Sequence, residues 1–210
     1  MTHTATLVHI TPNAEELITY MARVSNPANQ HNTETSARLI KYLIDHKHWS
    51  PFEMVNMCVE IETTRSIAAQ ILRHRSFSFQ EFSQRYAEVS TPSVMPELRR
   101  QDVKNRQNSI DDLSTETKDI LDEKISRLFC QAENVYNELL EAGVAKECAR
   151  EVLPLATPTR LYMNGTIRSW IHYCQLRCAN GTQKEHQMIA RDAWKLLEEH
   201  VPNVCVSLVV

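Results

Sequence analysis

Glycine is scarce in this chain of 210 residues, which contains three glycines, at positions 143, 165 and 181. The glycine-rich phosphate loops of dinucleotide-binding and Walker-type proteins need closely spaced glycines so that backbone amides can approach the phosphate. The three positions are too far apart for either loop, so the two commonest nucleotide-binding architectures are excluded. Any bound phosphate must be held by side chains, chiefly arginine, and by helix termini.

An excess of positive charge and long apolar runs are also missing. The formal net charge is −3, which argues against general nucleic-acid binding because such proteins usually carry a basic face. No apolar run approaches the length of a membrane span. The amino-terminal residues, 1–5, lack the cationic and apolar regions of a signal peptide. We therefore expect a cytoplasmic protein without membrane or nucleic-acid partners.

The six cysteines are scattered, at positions 58, 130, 148, 174, 178 and 205. Cys174 and Cys178 are four residues apart and can share a helix face, but only His172 is close enough in sequence to join them. Reduced, unlinked cysteines are the simplest interpretation for an intracellular chain. We predict no metal site.

Hydrophobic periodicity predicts an α+β fold, with a small antiparallel or mixed sheet, several long helices and a single domain over residues 1–210. Strands are expected at 5–10, 52–61 and 159–163, with Val55, Met57, Val59 and Ile61 on one buried face of the second. Asn13 is expected to cap the first helix. Residues 98–110 are expected to form a polar, mobile surface segment. Helices are predicted over 14–22, 33–46, 66–72, 111–141, 145–153, 167–176 and 183–199, before an apolar tail at 204–210.

The segment 73–86 is the most informative stretch of the chain. It reads Arg-His-Arg-Ser-Phe-Ser-Phe-Gln-Glu-Phe-Ser-Gln-Arg-Tyr and combines three arginines with a glutamate, serines and aromatic residues. Clustered guanidinium groups need an anionic partner. The aromatic and hydroxyl groups favour a ligand that carries a phosphate and a flat ring.

Two local geometries follow from this segment. If the preceding helix reaches Arg73, His74 and Arg75, their side chains point about 100 degrees apart and cannot address one ligand from one face. In an extended segment, Glu81, Ser83 and Arg85 would lie on one side, where they could hold a polar ring and a phosphate. The alternative is a solvated loop with weak, exposed ion pairs.

Four separated motifs resemble the flavin-dependent thymidylate synthases. Arg73-His74-Arg75, seven residues and Ser83 match the family's R-H-R-x7-S signature. Residues 48–53, His-Trp-Ser-Pro-Phe-Glu, resemble its H-x-[ST]-P-F-E segment. Residues 168–170 and 175–177 resemble its carboxy-terminal R-S and L-R elements. The resemblance spans roughly residues 5–200, and the chain departs from it at His172, where many relatives carry asparagine, and at Gly181, where a histidine is common.

The resemblance implies a homotetramer with active sites shared between subunits. It implies conversion of dUMP to dTMP, with 5,10-methylenetetrahydrofolate as carbon donor, FAD as cofactor and NADPH as reductant. No enzyme nucleophile is implied, so Ser83 is interpreted as a binding residue. Phe77, Phe79 and Phe82 are interpreted as packing residues.

The site residues are carried over from the family position by position. Arg177, implied to ionise the uracil ring, and His48, near flavin and folate, are the candidate catalytic residues. The candidate dUMP-binding residues are Gln70, Ile71, Leu72, Arg73, Glu81, Phe82, Ser83, Gln84, Arg85, Arg150 and Arg177. The candidate FAD-binding residues are Ser50, Arg73, His74, Arg75, Glu81, Thr166, Ile167, Arg168 and His172.

Helix geometry gives independent support to part of this assignment. Arg168 and His172 are four residues apart and share a helix face, whereas Arg177 is about half a turn out of phase with Arg168. One face can therefore meet a flavin and the other a nucleotide.

Two other classes of protein compete with this interpretation. A single-stranded nucleic-acid binder would also combine arginines with interleaved aromatic rings, and its binding would depend steeply on salt. A helical structural protein would use the arginines for ion pairs between subunits. Neither explains the separated matches around His48, Arg150 and Arg177. A thymidylate synthase with a cysteine nucleophile is disfavoured, because no cysteine has a suitable setting and the R-H-R segment is foreign to that class.

Overall fold

The computed structural model describes residues 3–208. The order of elements along the chain alternates short strands with helices. It runs β1 (Thr4–Ile10), α1 (Ala14–Ala22), α2 (Ser36–Asp45), β2 (Asn56–Thr64), α3 (Arg65–Ile71), β3 (Ser78–Glu81), β4 (Arg100–Gln101), β5 (Ser109–Ile110), α4 (Thr115–Glu141), α5 (Lys146–Ala149), β6 (Pro158–Thr166), α6 (Ile167–Arg177), α7 (Lys184–His200) and α8 (Pro202–Val206), with short 3-10 turns at Pro27–Asn29, Ser50–Glu53 and Arg150–Val152.

The main sheet confirms the predicted α+β class. Among residues 3–208 it contains four strands in the order β1-β2-β6-β3. Alternate residues of β2 are buried, including Met57, Val59 and Ile61, as the period-two pattern predicted. The strand begins at Asn56 rather than at residue 52 because Ser50–Glu53 form a 3-10 turn that contains Pro51.

The described part of the chain divides into two compact units. The first unit comprises His3, Glu62–Arg73 and Glu81–Leu161, and the second comprises Thr4–Ile61, His74–Gln80 and Tyr162 onwards. The expectation of a single domain over the whole chain stays a prediction.

The core of the second unit is built on helices α6 and α7. The two helices pack against each other, and α7 also packs against β1. The indole Nε1–H of the fully buried Trp170 donates to the carbonyl oxygen of Met57 over 2.8 Å, which ties α6 to β2. The Phe77 ring lies so close to Gly165 that a Cβ there would come within 2.4 Å of it, so the position requires glycine. Phe77 is therefore a packing residue, as predicted.

Two details of the second unit differ from the sequence prediction. Asn13 occupies the amino-terminal cap position of α1, as predicted, but it has φ 53° and its side chain makes no capping bond. Helix α2 begins at Ser36 rather than near residue 33, because residues 33–35 form a turn. At the end of the chain, the predicted apolar tail contains α8, in which Val204 and Cys205 are buried. Residues 209 and 210 of that tail lie outside the described residues.

The first unit contains the long helix α4. Its amino-terminal cap is Ser114, whose hydroxyl accepts from the Thr117 amide over 3.2 Å, so the helix starts four residues later than predicted. The predicted surface segment 98–110 contains the β4–β5 hairpin, in which Arg100 pairs with Ile110 and Gln101 with Ser109. The predicted helix over 145–153 is split into α5 and a 3-10 turn.

Membrane-spanning helices and metal-binding clusters are both absent from the described residues. No helix within residues 3–208 combines the length and the apolar character needed to cross a membrane. In the same range, no group of three or more His, Cys, Asp and Glu side chains is arranged to hold a metal ion.

Candidate active site

The arginine-rich segment follows α3 but is not part of it. The helix ends at Ile71, and the Arg73 amide donates to Gln70 in the closing turn. The helical geometry considered for Arg73, His74 and Arg75 therefore does not apply. Arg73 and Arg75 are exposed, whereas His74 is half-buried.

In the second unit, His74 contacts the candidate catalytic arginine directly. The Nε–H of Arg177 donates to Nε2 of His74 over 2.9 Å. Arg177 lies at the end of α6, and 103 residues separate the two partners in the sequence. This bond uses one of the guanidinium's five N–H donors, so the four on the terminal nitrogens can serve a ligand.

The environment of His74 keeps its imidazole neutral. Burial lowers the pKa of His74 to about 4, with further lowering by the positive charge of Arg177 and by His172. Because a neutral imidazole carries one proton and Nε2 is the acceptor, Nδ1 is the protonated nitrogen. A neutral partner leaves the positive charge of Arg177 uncompensated at this contact.

A second buried histidine lies close to this pair. His186 is fully buried, and its Nε2 lies 3.1 Å from the hydroxyl of the equally buried Tyr173. Burial lowers the pKa of His186 to about 3, with smaller effects of Arg177 and His74. Burial likewise raises the pKa of the Tyr173 hydroxyl. Both groups are therefore uncharged at neutral pH.

An open cavity of about 440 Å³ lies in the second unit at the start of α6. Arg168 and His172 line it together, as their helical spacing predicted, with Trp49, Glu53, Ser169 and Gln175. Arg168 and Glu53 form an ion pair within hydrogen-bond distance. The volume falls in the range of small-molecule sites.

The remaining flavin candidates of the second unit differ in how accessible they are. Thr166 caps α6, since its hydroxyl accepts from the Ser169 amide over 3.2 Å. Ile167 is fully buried and its amide donates to the Val55 carbonyl over 3.0 Å, so it belongs to the core and its side chain is not open to a ligand. Ser50 and His48 are exposed on either side of the cavity residue Trp49.

His48 belongs to a group of rings at the end of α2. Its ring centroid lies 6.0 Å from that of Tyr42 and 6.0 Å from that of His46. Tyr42 and His46 are stacked, with centroids 4.0 Å apart. The exposed imidazole of His48 is thus held beside other rings rather than in a carboxylate pair.

In the first unit, Glu81 is the centre of a polar cluster. Its Oε1 accepts from Arg65 over 2.7 Å and from the Thr159 hydroxyl over 2.8 Å. Strand β3 ends at Glu81, and the chain then turns, with the amides of Tyr86 and Ala87 donating to the Ser83 carbonyl. The prediction that Glu81, Ser83 and Arg85 share one side of an extended segment is therefore wrong.

The other arginine candidates of the first unit are paired with acids. Nε of Arg85 donates to Glu147 over 3.0 Å, and Arg150 lies 3.6 Å from Glu151. Arg85 and Glu147 also line an open cavity of about 440 Å³. Both ion pairs involve exposed carboxylates, so the arginines can exchange their partners for a ligand at modest cost.

The last nucleotide candidates also belong to the first unit. Ile71 is buried in α3, and Leu72 is partly exposed at the end of that helix. Gln84 is buried and Ser83 half-buried, while Phe82 is 39% exposed and donates its amide to Arg160. Phe82 is thus less of a packing residue than predicted. Gln70 already has an interaction partner within the chain, so it is not a free side chain.

Sequence reasoning missed the partners of the candidate residues. Arg65, Glu147, Tyr173 and His186 contact Glu81, Arg85 or the His74–Arg177 pair, but no local motif marks them. Glu53 is different, because it closes the segment 48–53 that carries one of the motif matches. That match could have pointed to it as a partner of Arg168.

These features define an α+β protein in which each unit has a cavity lined in part by arginine. Residues 6–203 match the family described as thymidylate synthase complementing protein. Because the match covers most of the chain, the chain belongs to this family, and the family suggested by the sequence motifs is confirmed.

Individual relatives agree with this assignment. The chain is 52% identical over 195 residues to the "Probable flavin-dependent thymidylate synthase" of Paramecium bursaria Chlorella virus 1, covering 93% of this chain and 90% of the relative. It is 53% identical over 194 residues to the flavin-dependent thymidylate synthase of Synechocystis sp., covering 92% and 89%. A crystal structure of the UMP/dUMP methylase PolB from Streptomyces cacaoi, bound with 5-Br dUMP, superposes with a TM-score of 0.87 and 27% identity, covering 98% of this chain and 93% of that chain.

Proposed function

We propose that this chain is a flavin-dependent thymidylate synthase that methylates dUMP to dTMP. The observation that carries the proposal is the pairing of Arg177 with neutral His74 in the second unit, in a chain that is about half identical to named enzymes of this activity. The enzyme takes its carbon from 5,10-methylenetetrahydrofolate and its reducing power from NADPH. FAD, when bound, supplies the hydride chemistry.

The residues of the second unit fit a flavin. The cavity is lined by the indole ring of Trp49, the guanidinium of Arg168 and the imidazole of His172. The aromatic side chain suits a flat ring, and the guanidinium suits anionic groups. We assign Ser50, His74, Arg75, Thr166, Arg168 and His172 to FAD binding. For Arg73 and Glu81, which belong to the first unit, an FAD-binding role rests on the family resemblance alone. The Ile167 side chain is buried and its amide is already bonded. Ile167 can therefore support the FAD-binding residues by packing, without contacting the flavin itself.

Arg177 is the residue assigned to activating the uracil ring. It cannot act as a base, because a guanidinium stays protonated. It can stabilise negative charge on a ligand ring through its terminal N–H donors, which is an electrostatic contribution of several kcal/mol at most. His74 accepts a hydrogen bond from Nε of Arg177 without neutralising the guanidinium. His48 is proposed to lie near flavin and folate.

The first unit supplies the proposed contacts to the nucleotide. Arg85 and Arg150 are candidates for the phosphate, because guanidinium groups bind phosphate through paired N–H bonds. Glu81, held by Arg65 and Thr159, is a fixed acceptor for polar groups of the ligand. The remaining proposed dUMP-binding residues of this unit are Gln70, Leu72, Arg73, Phe82, Ser83 and Gln84. Ile71 is buried and can only support them by packing.

A homotetramer with shared active sites is the assembly we propose. Helix α4 supports it with an apolar row on one face, in which Leu121, Leu128 and Val135 are spaced seven residues apart. Their side chains are 38%, 60% and 37% exposed. An apolar row of this kind favours contact with another subunit. Light scattering should give four times the chain mass of 24.3 kDa, and a monomeric mass would contradict the assembly. A cytoplasmic location remains a prediction from the sequence.

An absorbance spectrum of the purified protein tests the flavin assignment. We expect a yellow protein with flavin bands, or a colourless one that takes up added FAD. After reduction with NADPH, added dUMP should change the rate of flavin reoxidation. A protein that neither binds FAD nor responds to dUMP would contradict the proposal, and binding to single-stranded DNA that weakens steeply with salt would then favour the alternative function.

A further inference from the structure

Tyr173 and His186 form a buried polar pair that the proposed chemistry does not use. Tyr173 lies in α6 and His186 in the first turn of α7, and both are fully buried. Their hydroxyl and Nε2 atoms are 3.1 Å apart. Replacing both partners of a buried hydrogen bond by apolar groups of the same shape is often nearly neutral, so the stability gained from this bond does not by itself explain the pair.

The pair lies directly against the ring of His74. The Tyr173 ring meets it edge to face, with centroids 4.9 Å apart and an angle of 77°. The His186 ring is perpendicular to it at 6.3 Å. Tyr173 and Arg177 are four residues apart in α6 and share one helix face. The His74 ring is thus bounded by the pair, while its Nε2 accepts from Arg177 over 2.9 Å.

The orientation of the His74 ring decides whether this bond can form. In the neutral imidazole, Nδ1 carries the proton when Nε2 is the acceptor. A ring turned over about its Cβ–Cγ bond would place Cε1–H where Nε2 now lies, and a C–H group cannot accept the N–H of Arg177. Edge-to-face contacts with two neighbouring rings restrict such a turn.

We propose that Tyr173 and His186 are positioning residues that hold His74 in the orientation in which it receives Arg177, and so hold the guanidinium in one direction during turnover. The proposal rests on the proposed function, since it takes Arg177 as the residue that acts on the uracil ring. Neither residue is taken to touch a substrate. Their effect passes through His74 and Arg177.

The test compares His186→Leu, which removes the hydrogen bond, with His186→Gln, whose amide can still bond the Tyr173 hydroxyl. His186→Leu should lower kcat for dTMP formation roughly tenfold through misorientation of a catalytic group. The KM for dUMP and the affinity for FAD should stay near the wild-type values, and His186→Gln should restore most of kcat. In an Arg177→Ala background, His186→Leu should change the residual rate little.

Tyr136→Phe is the matched control, because Tyr136 is also buried and its hydroxyl accepts a hydrogen bond from the Val89 amide over 3.0 Å in the first unit. It should lower the melting temperature and leave kcat unchanged. Wild-type kcat in a folded His186→Leu enzyme would overturn the proposal. So would an equal loss in the Arg177→Ala background, or an equal loss in the control.

A second variant keeps the test decisive if His186→Leu alone fails to fold. The double variant Tyr173→Phe/His186→Leu leaves no partner of this hydrogen bond unsatisfied, and it should fold with the same loss of kcat. A folded double variant with wild-type kcat overturns the positioning role. A wild-type chain that does not convert dUMP would overturn the proposed function as well, whereas an active wild type with unaffected variants overturns this proposal alone.

Discussion

Arg65 and Arg85 of the first unit and Arg177 of the second unit contact different kinds of partner. In the first unit, Arg65 and Arg85 are paired with the carboxylates of Glu81 and Glu147. In the second unit, Arg177 is held by the neutral imidazole of His74. A carboxylate fixes a guanidinium and neutralises it, whereas a neutral imidazole fixes it and leaves its charge available. The comparison supports the proposal that arginines of the first unit bind and orient the nucleotide and that Arg177 stabilises charge on the reacting ring.

The largest effect should come from removing that available charge. Arg177→Ala should lower dTMP formation by about 10²–10³-fold, the usual cost of losing one preorganised donor at a developing negative charge. Flavin binding should persist, since the cavity residues Arg168 and His172 are unchanged. Turnover and the flavin spectrum should be measured side by side. Arg191→Ala, which removes an exposed arginine of α7, is the control and should keep full activity, and equal turnover in both variants would remove Arg177 from the mechanism.

The polar cluster at Glu81 should give the next largest effect. Glu81→Gln removes the charge that pairs with Arg65 on a side chain that is 17% exposed. We expect the free energy of unfolding to fall by about 2–3 kcal/mol, as for a hydrogen-bonded group that loses a charged partner. The KM for dUMP should rise, because Glu81 is a proposed nucleotide contact. Urea denaturation and steady-state kinetics would measure the two effects, and an unchanged free energy would show that the cluster is not structural.

The neutral histidines of the second unit predict a specific pH dependence of stability. The pKa values of His74 and His186 are lowered to about 4 and about 3 in the folded state. As the pH falls, the unfolded chain takes up protons first, so stability is full above pH 6.5 and is lost progressively below it. For His186 the loss should be about 2 kcal/mol between pH 6.5 and 5.

Denaturation midpoints measured across this pH range check the prediction. His186→Leu should flatten the dependence, whereas His9→Gln, at an exposed position in β1, should keep it. A stability that rises as the pH falls from 6.5 to 5 would contradict the sign of both shifts.

The exposed ion pair of the first unit should give the smallest effect. Arg85 and Glu147 have side chains that are 57% and 54% exposed. Glu147→Gln should therefore change the free energy of unfolding by less than about 0.5 kcal/mol. The contrast with Glu81→Gln would establish that the two carboxylates of the first unit do different work, and similar losses in both variants would remove that distinction.

Local patterns allowed much of the fold to be predicted. The alternation of Val55, Met57, Val59 and Ile61 identified a half-buried strand, because a strand with one buried face has a period of two. The spacing of Arg168 and His172 placed both on one helix face, and both line one cavity. Such features depend only on residues near one another in sequence.

The partners of the site residues could not be predicted in this way. Arg177 meets His74 across 103 residues, and Thr159 meets Glu81 across 78. Such pairs exist only once the sheet and helices are assembled, and no local period encodes them. Helix α4 also shows that a local pattern does not identify the contacts of a residue. A helix was predicted over most of its length, yet Leu128 is exposed, because hydrophobic periodicity does not say whether the surface that covers an apolar residue belongs to the same chain.

Tritium release from dUMP labelled at carbon 5 tests the central claim most directly. The wild-type chain, supplied with FAD, NADPH and 5,10-methylenetetrahydrofolate, should release tritium and form dTMP, and omission of FAD should abolish both. Formation of dTMP at an undiminished rate without any flavin, or no release with every component present, would contradict the account.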